Sequence, residues 1–304
     1  MSVPANPLTG IVLGHNPFFG VDHLSAARGS ERAAYFSDPN RILSTIREAR
    51  SAGAGGMMMS THERAAPLAD LIATDATLAR DFRIYPLLPY AQKYVTRANE
   101  VGMVNVVLEA LSGTTLSQKT AMFVKGGKAF VSKDINAVLA ALMQIELKPF
   151  AKLNVPAIFL HDAFTDLALA FGMAEVFEFY MAEIEKSFGA RGGFATKNLP
   201  TLLQRFSEWG LPAPLVMTHF NKAGYHMNPS RQACEQAAAR HDVSLLIMGS
   251  LASGYLRPDE AYAYLSSVAN VDGVVVGVSS PAHIQETFGA IRQHMPGLNV
   301  RLAA

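Results

Sequence analysis

The chain has 304 residues, half of them apolar and 17% charged, with a formal charge of +1 at pH 7. That length can bury one α/β barrel or two smaller cores, and the near-neutral balance argues against a nucleic acid or a membrane surface as partner. A single cysteine, Cys234, excludes an internal disulfide and fits a reducing, cytoplasmic setting. No apolar run approaches the roughly 20 residues of a membrane span, and no basic-then-apolar leader opens the sequence.

Short apolar runs alternate with longer helical patterns, the signature of repeated βαβ units and a parallel sheet. The first run is Ile11–Gly14, followed by the loop HNPFFGVDHLS, and Asp38-Pro39 then caps and opens a helix with Ile42, Leu43 and Ile46 on one face. Strand two is Gly56–Ser60, a helix covers about Leu68–Ala79, and strand three is Phe82–Leu88. The methionines of the second run, Met57-Met58-Met59, read as core filler. Residues 90–133 form a helical insertion with glycine breaks, including VKGGKAF with Lys125 and Lys128. Following a strand, such a long connection belongs on the carboxyl face as a lid or as the surface of a homo-oligomer, where Phe123 and Phe130 would pack. Asp134 then caps a helix to Leu147. Strand four is Ala157–Leu160, a helix spans Ala174–Ser187, and strand five lies near Gly192–Ala195. A helix at Leu199–Glu208 precedes strand six, Leu215–Thr218, and Pro229 opens a helix to Arg240. Strand seven is Ser244–Met248, Pro258 opens the next helix, and strand eight, Gly273–Val278, leads into a last helix at Ala282–His294. Eight strands alternating with helices close most naturally as one (β/α)8 TIM barrel over residues 1–304.

Four histidines follow these runs directly: His15 after strand one, His62 after strand two, His161 after strand four and His219 after strand six. In a closed barrel those strand ends share one mouth. Glu63 and Asp162 adjoin two of them, and Asn16, Asn221 and Lys222 add polar groups for a substrate. Such a set predicts either a divalent transition metal (zinc, iron or manganese) on His15, His62, His161 and His219, or metal-free acid–base work. The candidate catalytic residues are His161, His62, Glu63 and Asp162, and in the metal-free version His161 and His62 act as acid and base. Asp22-His23 and His226 lie in loops on the same face.

From strand four onward the chain resembles the aldo/keto reductase superfamily. GSLASGYL at 249–256 looks like that family's strand-seven loop, GVSSPAHIQETF at 277–288 like its strand-eight loop and final helix, and TGIVLGHNPFFG at 9–20 is similar to its first strand. The resemblance implies a TIM barrel, NADP(H) as cofactor and His161 as the strand-four catalytic histidine. It also implies an anion or cofactor-phosphate site at Ser250, Gly277, Ser279 and Ser280, at a helix start that favours anions. The family's other catalytic residues have no counterpart. MMMSTHERAAP lacks the aspartate and tyrosine after strand two, and FRIYPLLPY lacks the lysine of strand three. Ala195-Thr196 replaces a Ser-Asn pair, LVMTHF lacks a glutamine, and Met248 stands where an aromatic would stack on nicotinamide. The expected function is therefore metal-assisted or acid–base lyase, isomerase or hydrolase chemistry on a small polar or anionic substrate. The alternatives are an NADP-dependent carbonyl oxidoreductase with an altered catalytic set, and a non-catalytic cofactor-sensing or scaffold barrel.

Overall fold

The computed structural model describes residues 7–8, 10–21, 25–89 and 135–300. The expected insertion at 90–133 and the Asp22-His23 pair lie outside the described residues. In chain order the elements are β1 (Ile11–Gly14), α1 (Asn16–Phe19), α2 (Ala26–Tyr35), α3 (Pro39–Ser51), β2 (Gly56–Ser60), α4 (Ala65–Thr74) and β3 (Arg83–Leu88). There follow α5 (Ile135–Glu146), β4 (Ala157–Leu160), α6 (Asp162–Ala170), α7 (Ala174–Phe188), β5 (Arg191–Thr196), α8 (Leu199–Glu208) and β6 (Leu215–His219). The series ends with α9 (Arg231–Arg240), β7 (Ser244–Met248), α10 (Pro258–Leu265), β8 (Val271–Val276), α11 (Pro281–His294) and α12 (Pro296–Val300). All eight strands are parallel and close in sequence order, β8 pairing back onto β1. The expected TIM barrel is the fold.

Side-chain alternation along the strands sorts the apolar residues into two cores. Val12, Met58, Tyr85, Phe159, Met217 and Leu246 fill the barrel interior. Their strand neighbours Ile11, Leu13, Met57, Met59, Ile84 and Ile158 face the surrounding helices. The methionine triplet thus serves both layers and is buried throughout. Phe159 has its interior space because its register partner on β5 is Gly193, where a Cβ would stand 2.8 Å from the Phe159 ring. That steric demand explains why β5 reads so weakly as an apolar run.

Caps fix the helix entries at the barrel's carboxyl face. Asp38 accepts the backbone N–H of Asn40 at 2.9 Å ahead of Pro39. Ser230 and Ser280 accept from the third residue of α9 and α11. Strand eight runs two residues earlier than expected, because β7 and β8 shift register between Leu245 and Leu246. Helix α1 stands inside the expected loop after β1, and α2, α6 and α12 stand where the sequence reading assigned no element. Helix α6 matters most, since it begins at Asp162 directly after β4.

Candidate functional site

His161 closes β4: its backbone N–H donates to the Leu88 carbonyl at 2.8 Å, one step past the last residue of the strand. Its Nδ1 lies 2.7 Å from Asp162 Oδ1. The N–H of Ala163 is near both, 3.2 Å from Nδ1 and 3.0 Å from Asp162 Oδ1. Nδ1 cannot accept from Ala163 while facing a carboxylate oxygen at 2.7 Å, so it carries the proton and donates to Asp162, and Ala163 donates to the carboxylate. Nε2 has no hydrogen-bond partner among the described residues, and the side chain is 26% exposed. A histidine oriented by a carboxylate, with its second nitrogen available, is equipped for proton transfer.

The other oxygen of Asp162 takes an ion pair from Lys197 Nζ at 3.0 Å. Burial alone would push the Asp162 carboxyl up, but the bonds and charges of His161 and Lys197 overcome it and hold it well below the carboxylate range. Lys197 follows β5, and both ends of its backbone are fixed: N–H donates to Asp166 Oδ2 at 3.1 Å and C=O accepts from Asn228 at 2.9 Å. Asp166, one turn along α6 from Asp162, also accepts the Thr196 hydroxyl. Burial raises the Asp166 carboxyl, and the Thr196 and Lys197 bonds do not offset this. Lys197 and Asp166 escaped the sequence reading. The available signal was a lysine directly after the β5 run, together with the i, i+4 spacing of the two aspartates once α6 is recognised as a helix.

On the opposite side of the mouth, His15 is buried between Met58 Sδ at 3.2 Å from Nδ1 and Ser60 Oγ at 3.1 Å from Nε2. Burial lowers its pKa to about 4, so it is neutral at pH 7. The Ser60–His15 contact resembles a nucleophile and its base, but Met58 cannot stabilise an imidazolium as a carboxylate would, so the pair lacks the third member of a triad. His62 stacks on Phe19 at 4.8 Å, and Phe19 in turn packs on His15 at 5.0 Å. Burial lowers the His62 pKa too, and Arg64 adds to this against an opposing Glu63. Arg64 is held by three carbonyls, Phe18, Ala33 and Phe36. Between Ser60 and His62, the Thr61 hydroxyl is buried with no hydrogen-bond partner among the described residues.

The remaining expected residues are dispersed. Glu63 is exposed on the outer rim. His219 lies against Gly249, whose φ of +64° and missing Cβ make the seat for the ring: a Cβ there would be 2.4 Å from His219 Cδ2. His219 also packs on His226 at 5.1 Å. Asn221 is fully buried and ties its own loop together, donating to Tyr225 O and Gly249 O and accepting from Tyr225 N. Lys222 pairs with Glu260 at 2.7 Å on the surface. Asn16 opens α1 and accepts the Val21 N–H at 2.9 Å through its carbonyl.

Two expectations change here. The metal set is not assembled: among the described residues no three His, Cys, Asp or Glu side chains are placed to share an ion. The physical reason is that His15 has both nitrogens engaged by Met58 and Ser60, His161 Nδ1 is bonded to Asp162, and His219 packs on the β7 side. In the anion site, Ser250 is buried and shares a hydrogen bond with Tyr262 at 3.2 Å, so its hydroxyl serves the core. The rest of that site fits phosphate. Gly277 keeps the β8 turn against α1, where a Cβ would stand 3.0 Å from Pro17 Cγ. Ser280 caps α11, and Ser279 Oγ lies 3.0 Å from Nδ1 of the exposed His283 in the helix's first turn. Helix N–H groups, a hydroxyl and an imidazole are a donor set for a cofactor phosphate. The carboxamide end is not reproduced by side chains, because Thr196 is turned to Asp166 and Met248 packs against the barrel interior.

No protein-family profile matches the chain, and no curated protein is similar to it in sequence. Solved structures are similar to it in fold. An inferred aldo-keto reductase from Pseudomonas aeruginosa superposes with a TM-score of 0.57 at 16% identity, over 94% of this chain and 90% of that one. The holo form of the aldo-keto reductase AKR11C1 from Bacillus halodurans gives 0.55 at 10% identity, over 100% and 96%. A third, an inferred 2,5-diketo-D-gluconic acid reductase B, gives 0.55 at 12% over 96% and 86%. The expected resemblance to aldo/keto reductases is thus met at the level of the barrel.

Proposed function

We propose that this protein is an oxidoreductase that reduces a small polar carbonyl compound with NADP(H), His161 being the proton donor. This replaces the lyase, isomerase or hydrolase chemistry expected from a metal-binding histidine set. The observation that carries it is the His161–Asp162 pair at the end of β4, with Nε2 unengaged among the described residues, on a barrel shared with aldo-keto reductases. NADPH, when bound with its phosphates at Ser279, Ser280 and His283, supplies a hydride to the carbonyl carbon. As the C=O π pair moves onto oxygen, that oxygen takes the proton from His161 Nε2, and solvent returns one afterwards. Asp162 stabilises the imidazolium that gives up this proton and fixes the ring through Nδ1. The Asp162 charge replaces, in this reading, the tyrosine, lysine and aspartate that the sequence lacks. The Thr61 hydroxyl, buried directly after β2 with no hydrogen-bond partner among the described residues, would in this reading meet a polar group of the ligand.

The test is NADPH consumption across a panel of small aldehydes and ketones, with a direct binding titration of NADPH. Wild-type protein should bind NADPH and turn over, and His161→Ala should lose about 100-fold or more in kcat while still binding the cofactor, from the typical worth of a general acid of about 10²–10⁴. Equal turnover by the two proteins, or no NADPH binding by either, overturns the reading. The missing tyrosine and lysine favour a second reading, cofactor-free acid–base chemistry by His161 and His62, and the same titration separates the two.

A further inference from the structure

We propose that Lys197 anchors an anionic group of the substrate, so that the favoured carbonyl compounds carry a carboxylate, with 2-oxo acids the simplest case. The inference rests on the reductase reading for its chemistry, but its binding claim stands on the geometry of β4 and β5. One carboxylate, that of Asp162, bridges the two cations-to-be: Oδ1 meets His161 Nδ1 at 2.7 Å and Oδ2 meets Lys197 Nζ at 3.0 Å. The proton donor and the ammonium group are therefore separated by little more than a carboxylate and an imidazole ring. With the two hydrogen bonds of 2.7 and 3.0 Å included, the gap is one that a short oxo acid bridges by a hydrogen bond at each end, its carbonyl oxygen toward His161 and its carboxylate toward Lys197.

Lys197 is suited to the task in three further ways. An ammonium group has three N–H donors and Asp162 takes one. The side chain is 39% exposed, so the others are open to a ligand. Its backbone is fixed at N–H by Asp166 and at C=O by Asn228, a rigidity that an ordinary surface ion pair does not require. The nearby cations are already engaged: Arg64 holds three backbone carbonyls, and Lys222 is paired with Glu260. When His161 is protonated, His161, Asp162 and Lys197 together carry one net positive charge, which a carboxylate neutralises.

The experiment compares Lys197→Met and Lys197→Arg with wild type in two assays. In the first, calorimetry measures binding of oxamate and of its neutral analogue oxamide, with no turnover involved. Wild type should prefer oxamate, K197M should lose about tenfold in oxamate affinity, as fits the loss of one charge-assisted hydrogen bond, and K197R should recover most of it. In the second, kcat/KM is measured for pyruvate and methyl pyruvate with NADPH. The pyruvate-to-ester ratio should collapse about tenfold in K197M, chiefly through KM, and return in K197R. Lys197-dependent oxamate binding without NADPH turnover would leave the anchor standing and sink the reductase reading. Turnover that ignores the carboxylate, or folded K197M that binds oxamate like wild type, overturns the anchor. Should K197M not fold, a wild type that fails to distinguish oxamate from oxamide overturns the anchor as well.

Discussion

Replacing Asp162 by Asn tests the centre of the site with an almost isosteric change. The carboxylate accepts three bonds: from His161 Nδ1 at 2.7 Å, from Lys197 Nζ at 3.0 Å and from Ala163 N at 3.0 Å. An amide has one acceptor oxygen, so either Lys197 or His161 must face an NH2 donor. If the NH2 turns to His161, Nδ1 must give up its proton to accept it, and the imidazolium, which carries a proton on both nitrogens, is disfavoured. If it turns to Lys197, the ion pair is replaced by donor against donor. In both cases the imidazolium loses its negative neighbour, worth about 2–4 kcal/mol at the effective dielectric of about 20 that suits a half-buried site. At about 1.36 kcal/mol per decade, about 30- to 1000-fold is the upper bound on the fall in kcat, because an imidazolium without its negative neighbour is also the stronger acid. Stability should fall less, about 1–3 kcal/mol, because the lysine end is partly solvated. For a chain of this length that is about 2–6 °C in Tm. The assay is the loss of NADPH absorbance alongside a thermal melt at several pH values. Because the Asp162 carboxyl is held below its unfolded value, its stabilisation is present above about pH 4 and disappears as the pH falls further. The melting curves of wild type and D162N should therefore converge in acid. If kcat stays within about threefold of wild type, the role assigned to Asp162 is refuted.

His15→Gln probes the neutral side of the mouth. The folded pKa of His15 is about 4 against 6.5 unfolded, so the unfolded chain binds the extra proton between those values, and stability is lost as pH falls through that window, by about 3 kcal/mol at most. The fall in Tm from pH 7 to about pH 4 should be shallower in the variant than in wild type, and identical slopes would place the acid sensitivity elsewhere. Gly249→Ala combines a left-handed backbone with a Cβ 2.4 Å from His219 Cδ2 and should cost about 2–4 kcal/mol. Gly172→Ala, at φ +66° with nothing within 4 Å, bears the backbone cost alone, about 1–2 kcal/mol. Equal losses in Tm would mean that His219 yields freely and is not seated by the glycine.

The barrel was legible because short apolar runs, several of them ending in a polar residue and the others in proline or glycine, alternate with longer helical patterns. Ile11–Gly14, Gly56–Ser60, Ala157–Leu160 and Ser244–Met248 stand as read. The expected and observed ends differ by two residues at β8, where a register shift intervenes, and by one at β5, where Gly192 and Gly193 make room for Tyr180 and Phe159. The site was half legible. His161 and Asp162 follow from strand position alone. Their link to Lys197 depends on α6, whose DAFTDLALA pattern begins one residue after β4, so that no loop marks a helix start. Without that helix, Asp162 reads as a neighbour of His161 but not as the bridge to Lys197. The four-histidine set misled because strand-end position fixes which rim a residue belongs to and says nothing of the partners its ring meets. For His15 those partners, Met58 and Ser60, come from β2, across the strand pair.

Arg64 contributes more than the three carbonyls it holds. Its fixed charge lies beside His62 and adds to burial in keeping that ring neutral, while His15 behind it is neutral by burial. Across the opening, Asp162 and Lys197 remain ionic. Among the described residues the two flanks therefore differ, with the neutral rings of His15, Phe19 and His62 on β1 and β2, where Arg64 is tied to backbone carbonyls, and the Asp162–Lys197 ion pair on β4 and β5. A ligand with one apolar and one anionic end would match that division in one orientation only.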